Sequence, residues 1–326
     1  MHPDVALTGA TSATIDRCAP LCSRCVTLLA MPLTPDTAAI AATPHLSWEL
    51  EPAIVMPLLA IGAMYLIGTT RLWRRAGRGH GVAFAQAAAF SAGWLTLTLA
   101  LVSPLHPLGE HLFAAHMAQH VVLMTVAAPL LVLGRPIVAI IWALPPAWRR
   151  GAGALSRLQS VSRAWWLLSL PLVASVLQAV VMWVWHVPRW YDAAVINNAL
   201  HALEHACFVG SAMLFWWAML RLARSRAGSG RAVVYVVAAG AQSGALGVLL
   251  TFARAPMYPV YRDTAAWGFT PLQDQQLAGL IMWIPAGVIY LVAALCFANR
   301  WLQFHGDRQA AAFSRPDLPS QVEIPH

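Results

Sequence analysis

His116 and His120 stand four residues apart in the stretch AAHMAQHVVLMTVAAPLLVLGRP, with Met117 between them and Met124 four residues further on. On a helix, positions i and i+4 share a face, so the two imidazoles and the Met124 thioether fall in one stripe. Met117, His120 and Met124 make an equivalent set at i, i+3 and i+7. The same four-residue step recurs in HALEH, which carries His201, Glu204 and His205, and in MWVWH, where Met182 precedes His186. Imidazole with thioether is a ligand set for copper, Cu(I) in particular. Asp274, Gln275 and Gln276 open the last apolar run, with Met282 about two turns further on. A carboxylate there could gather cations or orient an imidazole. Taken singly, His106, His111 and His186 read as interfacial polar residues; the two HxxxH pairs together read as a metal site. Glu204 reads either as an acceptor for a neighbouring imidazole or as a solvated carboxylate at a helix start, where it suits the dipole.

The elements that hold these groups are membrane helices. Of 326 residues, 59% are apolar and only 10% charged, far below the quarter or so usual in soluble domains. Runs of about 20 apolar residues suffice to cross a bilayer. Seven fit, at 52–70, 82–102, 112–133, 165–185, 199–220, 232–252 and 276–297. GRPIVAIIWALPP is too short to cross and is fenced by prolines, so it reads as an interfacial or half-inserted helix.

Every basic residue is arginine, and the net charge is +8. The arginines cluster between the apolar runs, as in cytoplasmic loops of a membrane protein, which argues against a nucleic-acid partner. Arg71, Arg74, Arg75 and Arg78 follow the first span, and Arg149, Arg150, Arg157 and Arg163 precede the fourth. Arg221, Arg224, Arg226 and Arg231 join the fifth to the sixth, and Arg300 and Arg308 follow the seventh. Seven spans put all these clusters on one side, which is then the cytoplasm. The expected fold is an all-α membrane protein, a seven-transmembrane-helix bundle with its N-terminus outside and its C-terminus cytoplasmic.

In that topology, His106, His111, His116, His120, His186, His201 and His205 all fall at the outer side. Polar groups within a span are costly to insert. Residues 1–50 read as an extracytoplasmic leader with little order and some signal-like character; 51–302 form the transmembrane domain, and 303–326 a cytoplasmic tail. Cys18, Cys22 and Cys25 lie in the leader, and the five cysteines form no disulfide framework.

Three stretches, HMAQHVVLMTVAAPLLVLGRP, WHVPRWYDAAVINNALHALEHACFVGSAMLFWW and PLQDQQLAGLIMWIPAGVIYL, together resemble the CtaG family of cytochrome c oxidase assembly factors. The similarity runs over 47–302 and is to the type with several spans, not to the single-span copper chaperone that shares the name. It implies a bacterial inner-membrane protein needed to build haem-copper oxidase, with copper handling as its chemistry and oxidase subunits as partners. The positions that match are His116, Met117, His120, His186, His201, His205, Asp274, Gln275, Gln276 and Met282.

The residues and the resemblance lead to a non-catalytic, copper-binding assembly factor. Its metal ligands would come from His116, His120, His201 and His205, with Met117, Met124, His186, Asp274 and Met282 as further candidates. The partners expected are apo-oxidase subunits, membrane lipid and a periplasmic copper donor. Two other readings compete. A membrane haem protein could use facing histidines as axial ligands, and a copper importer would need ligands continuing to the cytoplasmic side. No nucleophile, carboxylate pair or phosphate loop points to an enzyme.

Overall fold

A computed structural model describes residues 47–313, with side chains as far as Gln303 except that of Arg226. The leader up to residue 46, with Cys18, Cys22 and Cys25, lies outside the described residues, as does the chain beyond Phe313. Among the described residues the regular structure is helical throughout. In the chain's order the helices are α1 (Pro52–Ala76), α2 (Phe84–Val102), α3 (Leu105–His111) and α4 (Phe113–Leu133). Then come α5 (Pro136–Ala143), α6 (Pro146–Arg157), α7 (Gln159–Leu168) and α8 (Pro171–Trp185). The last four are α9 (Pro188–Ile196), α10 (Asn198–Leu222), α11 (Arg226–Thr251) and α12 (Pro271–Phe313).

Proline opens α1, α5, α6, α8 and α9, where its missing N–H costs nothing and its fixed φ suits a first turn. Among the described residues, six helices are long and apolar enough to cross a bilayer: α1, α2, α4, α10, α11 and α12. In lipid, a helix satisfies every backbone polar group internally, which is why these runs take this form.

The expected continuous span at 165–185 is corrected. Helices α7 and α8 are bent by 70° at a short break, and together they make at most a broken seventh span. The cause is local: Pro171 has no N–H to continue α7, and Leu170 before it is extended, with φ −63° and ψ 132°. The stretch IVAIIWA does form a short helix, α5, held against α1 where Gly68 lets the backbone of Ala139 approach. Helix α12 continues to Phe313, into the segment expected as a tail.

Helix α4 is the most buried of the candidate spans. Its most apolar window is 61% buried, followed by 50% for α10, against 22–33% for the other four candidate spans. Met117, Met124, Ala128 and Val132 face a core shared with α8 to α12, whereas Leu123, Ala127 and Leu131 face a second core with α1, α2 and α5. A helix buried on both sides must be apolar nearly all round, so its polar residues stand out. The turn Val122–Ala127 is π-helical, just upstream of Pro129, whose ring would crowd the carbonyl of Thr125 in a regular helix.

On the other flank, α11 and α12 meet through glycines. A Cβ on Gly247 would lie 2.8 Å from the Gly279 carbonyl oxygen, and one on Gly279 would lie 2.5 Å from that of Gly247. Small residues at such a crossing let the backbones touch.

Candidate metal centre

The first turns of α4 and α10 bring their histidines together at one end of the bundle. Asn197 starts α10 by accepting hydrogen bonds from the N–H groups of Ala199 (3.0 Å) and Leu200 (3.1 Å), an ordinary N-cap. Asp274 at the start of α12 does the same for α4 from across the fold. Its two carboxylate oxygens accept from Phe113 N–H (2.7 Å) and Ala114 N–H (3.0 Å). At Gly109, α3 approaches so closely that a Cβ would sit 3.2 Å from the Cα of His116.

These constraints gather five imidazoles and one carboxylate. Nε2 of His116 lies 2.9 Å from Nε2 of His120 and 3.6 Å from a Glu204 carboxylate oxygen. Three overlapping triads have ligand atoms all within 4.8 Å of one another: His106, His201 and His205; His116, His120 and His205; and His116, His201 and Glu204. The His116 and His201 rings stack with centroids 5.1 Å apart, and His120 meets His205 edge-on at 5.1 Å. Every member is buried, Glu204 and His116 completely.

The polar accounting within the cluster is incomplete. His120 Nδ1, His201 Nε2, His205 Nε2 and both Glu204 oxygens are buried without a hydrogen-bond partner. Each such group costs roughly 1–3 kcal/mol when nothing replaces its water. A cation would use these lone pairs, and the nitrogen-rich donor set with one carboxylate fits copper or zinc.

His106, on the connection between α2 and α4, closes the outer edge. Gln119 donates its amide N–H to Ala100 O (2.7 Å) and to His106 Nδ1 (3.0 Å), while His106 Nε2 faces a Glu49 oxygen at 3.3 Å. Burial lowers the His106 pKa, against the opposing pull of Glu49, Gln119 and Glu51. Burial thus favours the neutral ring, the form in which imidazole binds metals. Nearby, burial raises the Glu110 carboxyl, with Glu49 and Glu51 adding to it.

A shell of tyrosines fixes this end. Tyr261 donates to Gly109 O (2.8 Å) and so accepts from Tyr191, whose hydroxyl is 2.9 Å away. Tyr258 donates to the His186 carbonyl at 2.8 Å. The Tyr191 ring packs 5.2 Å from that of His116.

The family model described as cytochrome c oxidase caa3 assembly factor (Caa3_CtaG) matches residues 63–303, a range that holds every member of the cluster. The chain belongs to this family. No curated protein and no solved structure matches it.

In this Caa3_CtaG protein the candidate residues divide into groups. His116, His120, His201 and His205 are brought together. Met117 lies beside His186, with Sδ 3.3 Å from Nε2. Met124 sits in the widened turn, packed in the apolar core, and its carbonyl accepts from the Trp216 indole at 3.0 Å. Met282 is a buried core residue. Asp274 anchors α4 rather than joining a triad, and Gln275 accepts from Met257 N–H. His106 and Glu204 enter the cluster although sequence spacing did not single them out as ligands. A signal for Glu204 was present, since 201, 204 and 205 share one helix face; His106 carried none.

Proposed function

We propose that this protein is a copper-holding assembly factor of the bacterial inner membrane. In this reading it takes up copper at the outer end of the bundle and passes it to an apo-subunit of cytochrome c oxidase. The observation that carries the reading is the gathering of His116, His120, His201, His205 and Glu204 from two helices, with buried donor atoms left unpartnered.

Overlapping triads suit cargo that must leave. His205 belongs to two triads, as do His116 and His201, so an ion can exchange one ligand at a time from the inner triads toward the one that includes His106. A closed structural cage would hold it too firmly. Metal transfer of this kind needs no catalytic turnover. Arginine placement supports seven spans, with the bent α7–α8 pair as the fourth and the cluster on the outer side.

Haem fits less well. A porphyrin would have to hold a pair of imidazoles apart on opposite faces of a flat macrocycle, whereas the His116 and His120 rings meet each other at 4.2 Å. An absorption spectrum of the purified protein lacking a Soret band agrees with the copper reading; a strong Soret band replaces it.

The cellular test is the copper content and activity of the oxidase. His120→Ala and His205→Ala should insert normally yet lower both, with partial rescue by excess copper. His80→Ala, at an exposed residue of the α1–α2 loop, should change neither. Full oxidase copper in both cluster variants would make these histidines structural.

A further inference from the structure

His186 ends α8 and is buried, and its two ring nitrogens face different partners. Nδ1 lies 2.7 Å from the Met182 carbonyl oxygen. A carbonyl has no proton to give, so Nδ1 must carry the hydrogen and donate it. In the neutral ring Nε2 is then bare, and its lone pair points at Met117 Sδ 3.3 Å away. The thioether is itself only a weak acceptor. Two electron pairs therefore face one another in a dry interior with no proton between them.

What satisfies such a pair is a cation, and thioether selects a soft one. With bonds of about 2.0 Å to nitrogen and about 2.3 Å to sulfur, a separation of 3.3 Å closes on a metal angle of about 100°. That is near tetrahedral, not linear, so a further donor belongs there. His120 stands three residues along α4 from Met117, and the Phe208 ring packs against both His120 (4.5 Å) and His186 (5.9 Å).

We infer that Met117 and His186 form a thioether–imidazole subsite for Cu(I) alongside the histidine cluster. The inference deepens the copper reading and rests on it. The surroundings hold the pair in place: Tyr258 fixes the His186 backbone, and Met117 and Met182 are both buried. The subsite gives the protein a preference for the reduced ion that an all-imidazole cluster lacks, because zinc and Cu(II) gain little from thioether.

The test is X-ray absorption on the purified full chain, loaded anaerobically with Cu(I) and, separately, with Zn(II). Cu(I) should show a sulfur shell at roughly 2.3 Å beside its nitrogen shell, and zinc should show nitrogen and oxygen only. Met117→Leu, close in volume and so tolerated in a core, should remove the sulfur shell and weaken Cu(I) binding about tenfold. Zinc affinity should stay unchanged. Copper bound without sulfur in the wild type, or sulfur persisting in Met117→Leu, overturns the subsite and leaves the histidine cluster standing. A chain that binds no copper under any loading overturns both.

Discussion

His116 and His120 stand one turn apart on α4, and their Nε2 atoms approach to 2.9 Å in the buried cluster at the end of the bundle where α4 meets α10. Two neutral imidazoles so placed can share a single hydrogen, which leaves other nitrogens in the cluster without a partner. His120 Nδ1 is one such atom, and Nε2 of both His201 and His205 are others. A sequence chosen for stability alone would have leucine or alanine here. The stored cost makes sense if a cation relieves it.

Glu204 tests the chemistry of that cation. Its carboxylate is fully buried and without a hydrogen-bond partner, 3.6 Å from His116 Nε2. Glu204→Gln keeps the shape and removes the charge. It should weaken Zn(II) and Cu(II) binding by about tenfold or more, since these ions gain most from an anionic oxygen, and weaken Cu(I) less. The metal-free protein should not lose thermal stability. Competitive titrations showing an unchanged divalent affinity would remove Glu204 from the ligand set.

Asp274 is expected to matter for a different reason. It caps α4 from α12 by accepting from Phe113 and Ala114. Asp274→Ala should cost about 0.5–2 kcal/mol, the usual range for a lost cap, and lower metal affinity by loosening the first turn of α4. Asp274→Asn keeps one acceptor and should lose less. The check is thermal unfolding in detergent beside metal titration. Loss of metal with no loss of stability would instead make Asp274 a ligand.

Legibility from sequence is uneven, for physical reasons. The helices are readable because lipid imposes long apolar runs, and the pairs on α4 and α10 are readable because ligand spacing of four residues is local. The bend between α7 and α8 is hidden because the apolar run continues through Ser169 and Leu170, although Pro171 marks it. Asp274 reads as a ligand rather than a cap because its partners lie about 160 positions away in the chain. His106 reaches the cluster through the close approach at Gly109 and its contact with Gln119, relations that no periodicity encodes.

Asp192, on α9 outside the spans, gives a pH dependence. Burial raises its carboxyl to about 6, only partly opposed by a backbone hydrogen bond from Val260 and by Arg262. One oxygen has no partner. A carboxylate with a folded pKa above its unfolded value of 3.8 carries no penalty below pH 4. The penalty grows as pH rises from there and is complete above about pH 6. Asp192→Asn should therefore raise the melting temperature at pH 7 and leave it unchanged at pH 4. A stabilisation equal at both pH values would rule out titration as the cause.

Topology is tested by fusions. Reporters placed after Arg78, Arg157 or Arg226 should read as cytoplasmic, and those after Asp192 or Asp263 as external. An external signal after Arg157 would mean that α5 crosses the membrane and that the cluster's side must be reassigned.

The central claim is that the histidines of α4 and α10 hold copper. Its most direct measurement is the metal content, by mass spectrometry, of protein purified from copper-supplied cells, wild type beside the His120→Ala/His205→Ala double variant. The account predicts stoichiometric copper in the wild type and a folded double variant with little. Equal copper in the two, or none in the wild type after anaerobic Cu(I) loading, would contradict it.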